Sequence, residues 1–170
     1  MFQVGDFVVN ASNGVCRIED VVTMEMPGGR GAKECFLVVP LGGNAAKMYV
    51  PVENKKNQIR SIMTKQQAGD LLDDITSINE AWIESDKLRE KTYKEAIYSC
   101  DPRQLVSILH TMYNRGQARQ AEGKKVTTID ERYFRIAEKN LLEELAFVLD
   151  MESDQVRATI LKQIRKARKR

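Results

Sequence analysis

The sequence predicts an α+β chain, a small antiparallel β module followed by an all-α module. The first observation is a single change of hydrophobic period near Met63–Thr64. Before it, apolar residues alternate or form short runs broken by glycine; after it, they recur at three- and four-residue spacing. A period of two marks strands and a period of 3.6 marks helices. The second observation is composition: with 42% hydrophobic and 30% charged residues, the 170-residue chain can bury two modest cores. The third is charge. Residues 1–60 carry net +1, residues 61–156 net −5, and residues 157–170 seven Lys/Arg and no acid. The expected division is therefore 1–63 for the β module and 64–170 for the helices and the basic end.

Asp6-Phe7-Val8-Val9-Asn10 reads as the first strand and Ser12-Asn13-Gly14 as a turn, with Asn-Gly suited to positive φ. Val15–Val22 follows as a second strand, and Pro27-Gly28-Gly29-Arg30-Gly31 as a loop. Cys35–Val39 is a compact apolar strand turned by Gly42-Gly43-Asn44. Lys47–Val52 alternates again, and Ile59–Met63 can close the sheet. Five short strands with glycine turns predict a curled Tudor/SH3-like antiparallel barrel, with edges open to partner strands.

The helices carry start signals. Thr64…Gln67 is a capping-box pattern for a helix to Ile75. A long helix is expected from Asn79 to Ser99. Asp101-Pro102 supplies an N-cap and an N1 proline for the next, to Ala121. Thr128…Glu131 reads as a second capping box for a helix to Leu149, and Ser153 as the cap of a last helix that runs into the basic end. Five helices with short connections predict a bundle.

Several functions are disfavoured. No apolar run approaches the roughly 20 residues of a membrane span, and the first residues lack a secretory pattern. Cys16, Cys35 and Cys100 are odd in number and widely separated, as expected of buried thiols in a reducing cytoplasm. A zinc site usually needs four Cys/His ligands, and His110 is the only histidine. His110 lies among Leu105, Ile108, Leu109 and Met112 and reads as structural. Asp73-Asp74 and Glu143-Glu144 are adjacent on helices, so their carboxylates diverge by about 100° rather than converging on a substrate. Gly28-Gly29-Arg30-Gly31 lacks the Lys-Ser/Thr of a phosphate loop. No enzyme, cofactor or metal is expected.

Binding residues stand out more clearly. On the expected Asn79–Ser99 helix, Trp82 falls with Ile78, Tyr93, Ala96 and Ile97. It is either a core anchor or an apolar wedge for a nucleic-acid groove. Lys87, Lys91 and Lys94 share a face flanked by Glu84, Glu90 and Glu95. That face is either a solvated ion-paired surface or a set of phosphate contacts. Arg132 and Arg135 open the Thr128 helix, where the N-terminal dipole favours anions. The basic end is either a solubilising tail or a nonspecific phosphate contact.

Phe2-Gln3-Val4-Gly5-Asp6-Phe7-Val8-Val9, Asn13-Gly14-Val15-Cys16 and Tyr49-Val50-Pro51-Val52-Glu53-Asn54 resemble the N-terminal domain of CarD/CdnL-type bacterial transcription regulators. That domain is itself similar to the polymerase-interacting module of transcription-repair coupling factors. Over the helical half, Trp82 before a basic helix, Ser99-Cys100-Asp101 in place of a Ser-Gly-Asp junction, and Asp130-Glu131-Arg132…Leu142…Glu144-Leu145 extend the resemblance to about residue 150. It implies a Tudor-like domain docked on the RNA polymerase β subunit. It also implies a helical domain at the upstream edge of the promoter bubble, with a tryptophan in the minor groove of double-stranded DNA, and a cytoplasmic, nucleoid-associated location.

Two departures shape the residue assignment. Ile83-Glu84-Ser85-Asp86 follows Trp82 where relatives place Arg-Arg, and Met24 and Tyr49 stand near the positions of polymerase-contacting arginines. The expected DNA contacts are Trp82, Lys87, Arg89, Lys91, Lys94 and Arg132. The expected polymerase contacts are Lys33, Lys47 and Tyr49. The expected function is a non-enzymatic regulator that alters open-complex stability; the alternative is a protein–protein adaptor that does not bind DNA.

Overall fold

The structure is a computed structural model that describes residues 1–43, 46–54, 56, 59–81 and 83–169. The chain forms two compact units, Met1–Ile62 and Met63–Arg170.

The first unit is one antiparallel sheet of β1 (Phe7–Asn10), β2 (Gly14–Glu25), β3 (Ala32–Pro40), β4 (Met48–Pro51) and β5 (Arg60–Ser61), in the order β4-β3-β2-β1-β5. The β1–β2 turn is held by the Asn10 side chain, whose Oδ1 accepts the Ser12 and Asn13 amides at 3.0 and 3.1 Å. Gly14 takes the positive φ of 68° that the turn requires. β2 and β3 are longer than their apolar runs suggest and pair out to Glu25↔Ala32. The register of that pair shifts between Ile18 and Asp20, and Gly5 N–H and Asp6 carbonyl bind the Ile18 backbone at the shift. Such a bulge bends a strand and increases its twist. Barrel closure is not seen: β4 and β5 are the two edges, and no ladder joins them among the described residues. One face buries Val8, Cys16, Ile18, Phe36, Val38, Val50 and Ile59, with Phe2 edge-on to Phe36 at 6.2 Å.

The second unit is α1 (Lys65–Asp74), a 3-10 turn (Ile75–Ser77), a second 3-10 turn (Asp86–Leu88), α2 (Arg89–Tyr98), α3 (Pro102–Ala121), α4 (Thr128–Leu149) and α5 (Ser153–Arg168). The capping box at Thr64 forms in full, with Gln67 N–H donating to Thr64 Oγ1 and Thr64 N–H to Gln67 Oε1. Asp101 caps α3 over Pro102 as expected. The α4 cap is Thr127, one residue before the expected Thr128, and Ser153 is the first residue of α5 rather than its cap.

The larger correction concerns Asn79–Leu88, which is not α-helical over its described residues. Its backbone polar groups are claimed by α3: Thr111 Oγ1 accepts the Ala81 amide at 2.8 Å and Ser107 Oγ donates to the Asn79 carbonyl at 2.8 Å. Tertiary hydrogen bonds override the local periodicity there. Cys100 has a φ of 57°, the left-handed conformation that glycine adopts most easily.

The bundle core is built from Leu105, Ile108 and Leu109 of α3, Leu141 and Leu145 of α4, and Ile160 and Ile164 of α5. The start of the unit is pinned to it: Glu144, 1% exposed, accepts the Met63 amide at 2.9 Å.

Candidate interaction surfaces

In the first unit, strand alternation sends Phe36, Val38 and Val50 into the core. It sends Met24, Lys33, Cys35, Leu37, Tyr49 and Pro51 to the opposite face. The register makes neighbours of Met24 and Lys33, of Leu37 and Tyr49, and of Cys35 and Pro51. Met24, Met26, Arg30, Lys33, Cys35, Tyr49 and Pro51 line one concavity of about 500 Å³. Lys33 and Tyr49 thus converge, and Tyr49 is 49% exposed. Lys47 is exposed just before β4 and does not line the concavity. An aromatic ring and flexible methionines beside three cations, Arg30, Lys33 and Lys56, and the carboxylate of Glu53 make a surface suited to a protein partner. Met24, Met26 and Leu37 were not among the expected contacts. For Met24 and Leu37 the common face follows from the β2–β3 register, which shifts at the bulge and which composition does not reveal.

In the second unit, the cations expected to meet DNA have different environments. Lys87 is exposed on the second 3-10 turn and forms no ion pair among the described residues. Lys91 pairs with Glu95 at 3.8 Å, and Lys94 with Glu90 at 3.4 Å. Glu90 also accepts the Tyr133 hydroxyl at 2.7 Å, and Arg132 lies 3.9 Å from it, with its guanidinium 4.9 Å above the Tyr133 ring. The Tyr133 hydrogen bond first, and Lys94 second, hold the Glu90 carboxyl below its usual range. The Lys94 ammonium is held above its usual range by Glu90 in turn.

Arg89 is turned inward. It is 9% exposed, and its guanidinium lies 3.0 Å from Asp130 and 3.4 Å from Asp86. Asp130, 1% exposed, also accepts the Tyr93 hydroxyl at 2.8 Å and sits 3.6 Å from Arg115. Burial, followed by the Asp130 bond, pushes the Tyr93 phenol well above its usual range. Asp130 of α4 therefore ties Arg89 of α2 and Arg115 of α3 together, and the burial of Arg89 argues against the phosphate contact expected of it. Asp130, the hub of this network, reads in the sequence as an acid in the first turn of a helix and as part of the family resemblance, and neither marks it as a buried hub.

Trp82 lies outside the described residues. Ala81 and Ile83 on either side are non-helical, and α2 begins only at Arg89, so the helical angle that grouped Trp82 with Tyr93 and Ile97 does not apply. His110 is buried, its Nε2 bound to the Ile75 carbonyl at 3.0 Å, and burial lowers its pKa. Among the described residues no three His, Cys, Asp or Glu side chains come together to hold a metal ion, and no helix is long and apolar enough to cross a membrane.

No curated protein matches the chain. Residues 2–63 match the family model described as the CarD-like/TRCF RID domain. That stretch coincides with the five-stranded unit that carries the Lys33–Tyr49 concavity. The first unit is thus a CarD-like/TRCF RID domain, a protein-interaction module with an RNA polymerase-interacting, transcription-related function.

Proposed function

We propose that this protein docks on the RNA polymerase β subunit through its first unit and contacts promoter DNA at the upstream edge of the bubble through its second, altering open-complex stability. The observation that carries the reading is the RID domain at residues 2–63 joined to a separate helical unit with exposed cations. The docking contacts are Lys33 and Tyr49 at the concavity, and Lys47 just before β4. Once docked, the helical unit is held near DNA at high effective concentration, so weak contacts count. Trp82 acts as a minor-groove wedge. Lys87, Lys91, Lys94 and Arg132 contact phosphates, the last three exchanging a solvent-exposed carboxylate partner for a phosphate. A wedge that fits only the distorted junction favours the open state by its differential affinity.

The test is the lifetime of the open complex of bacterial RNA polymerase holoenzyme after a competitor challenge, with and without the protein. A changed lifetime that Trp82→Ala returns to baseline, with polymerase association retained, supports the wedge. Equal lifetimes for wild type and Trp82→Ala remove it. The pairing of Lys91, Lys94 and Arg132 with glutamates favours the second reading, a protein–protein adaptor that does not bind DNA. Polymerase association without any change in lifetime at several promoters selects that reading.

A further inference from the structure

The cations of α2 are matched by acids, whereas those in the second half of α5 have no acidic partner among the described residues. Val156, Ile160 and Ile164 seat α5 in the core, so its outward arc carries Lys162, Arg165, Lys166 and Lys169, with Arg168 at one border. At 100° per residue, the first four fall within about 100° of arc and span about 10 Å along the axis. Asp154 and Glu152 lie at the other end, where Asp154 and Glu138 pair with Arg157. Beyond Arg157, none of the five cations has an ion pair among the described residues.

Two of them are nonetheless held in place. Arg165 Nε donates to the Tyr113 hydroxyl at 3.2 Å, and Arg168 Nη1 to Gln117 Oε1 at 3.3 Å. Both acceptors are neutral side chains of α3, so the guanidiniums are oriented without losing their charge. Compensation of the helix dipole does not account for the whole row. That effect fades within the last turn, and Lys162 lies nearly two turns before Arg168.

We propose that the outward face of α5, Lys162, Arg165, Lys166, Arg168 and Lys169, is a sequence-independent binding surface for the phosphates of duplex DNA. The inference rests on the reading that the helical unit meets DNA, and it places the main electrostatic contact on α5 rather than α2. Duplex DNA is the occupant favoured by charge complementarity together with the transcription-related domain in the same chain. A row of unneutralised cations on one straight helix can face successive phosphates of a backbone, and its affinity arises from counterion release.

The experiment is fluorescence anisotropy of a labelled mixed-sequence duplex titrated with the full chain from 50 to 200 mM salt. The probe is compared on wild type, Lys162→Gln/Lys166→Gln/Lys169→Gln, and Lys91→Gln/Lys94→Gln. The lysines are exposed, so far-UV circular dichroism and melting should be unchanged. Each lost phosphate contact removes about 0.9 from the slope of log K against log salt, so the α5 triple variant should lose about 2.7. Between 50 and 200 mM salt, wild-type affinity should then fall about 40-fold further than that of the triple variant. The α2 variant should change the slope by less. A triple variant with the wild-type slope overturns the assignment, as does a full chain that does not bind duplex at 50 mM salt. So does salt-sensitive binding to phosphatidylglycerol vesicles without duplex binding, which would make the face a membrane contact. Open-complex lifetimes with Trp82→Ala separate these failures from failure of the wider reading, because Trp82 is not on α5.

Discussion

Asp130→Ala is the perturbation that most directly tests how the helical unit is held together. The carboxylate is 1% exposed, lies 3.0 Å from Arg89 and 3.6 Å from Arg115, and accepts the Tyr93 hydroxyl at 2.8 Å. With an effective dielectric of about 20, attraction at 3.0 Å is about 5–6 kcal/mol before the cost of desolvating both ions. That cost consumes most of the gain in the intact pair, but removing one member leaves the other charge buried and unpaired. Such a loss is typically about 3–5 kcal/mol. Asp86 cannot compensate for it, because its side chain is 77% exposed and screened by solvent. For a unit of about 100 residues each kcal/mol moves Tm by about 4 °C, so the expected drop is about 12–20 °C. The assay is urea and thermal unfolding followed by far-UV circular dichroism, which reports mainly the helices. Asp130→Asn keeps an acceptor for Tyr93 and should lose about 1 kcal/mol less than Asp130→Ala. A loss below about 1 kcal/mol for Asp130→Ala would refute the bracing role, and with it the argument that Arg89 is unavailable to phosphate.

Three further outcomes are expected. His110 has a lowered folded-state pKa, so the unfolded state binds more protons below pH 6.5; stability should be full above that value and fall as pH drops through the folded pKa, and His110→Gln should flatten this dependence in urea titrations. Asp150 ends α4 exposed, with a φ of 52° and a carboxylate at the negative end of the helix dipole. Asp150→Gly should therefore raise stability by about 1 kcal/mol, with Asp150→Asn recovering only the charge part, and an unchanged unfolding midpoint for both would count against the strain. Tyr49→Ala and Lys33→Glu should each weaken capture of RNA polymerase β subunit at least tenfold while Lys47→Ala changes it little; equal effects of all three would argue against the concavity as the contact.

The element order was legible because each signal is local. Thr64…Gln67 and Asp101-Pro102 act within four residues, and the switch from period two to period 3.6 survives any tertiary arrangement. The errors fall where distant residues compete for the same groups. Asn79–Leu88 has helical periodicity, yet Ser107 and Thr111 of α3 claim its backbone. Barrel closure was expected from strand count and glycine turns, but closure depends on long-range pairing between β4 and β5 that no local pattern encodes.

The candidate surfaces divide in the same way. Lys33 and Tyr49 could be chosen from sequence as exposed residues of neighbouring strands, but their convergence with Met24 needed the β2–β3 and β3–β4 registers. The basic composition of residues 157–170 is written in the chain, but which acids neutralise which cations is not. By itself the sequence determined the α+β class and the sign of each region's charge, because these follow from period and composition. Only the tertiary structure decided that Arg89 faces Asp130 inside the bundle while Lys162, Lys166 and Lys169 face solvent without a counter-ion among the described residues. Whether a cation is spent on its own fold or left for a partner depends on charges brought near it by other helices, and that proximity exists only once the chain has packed.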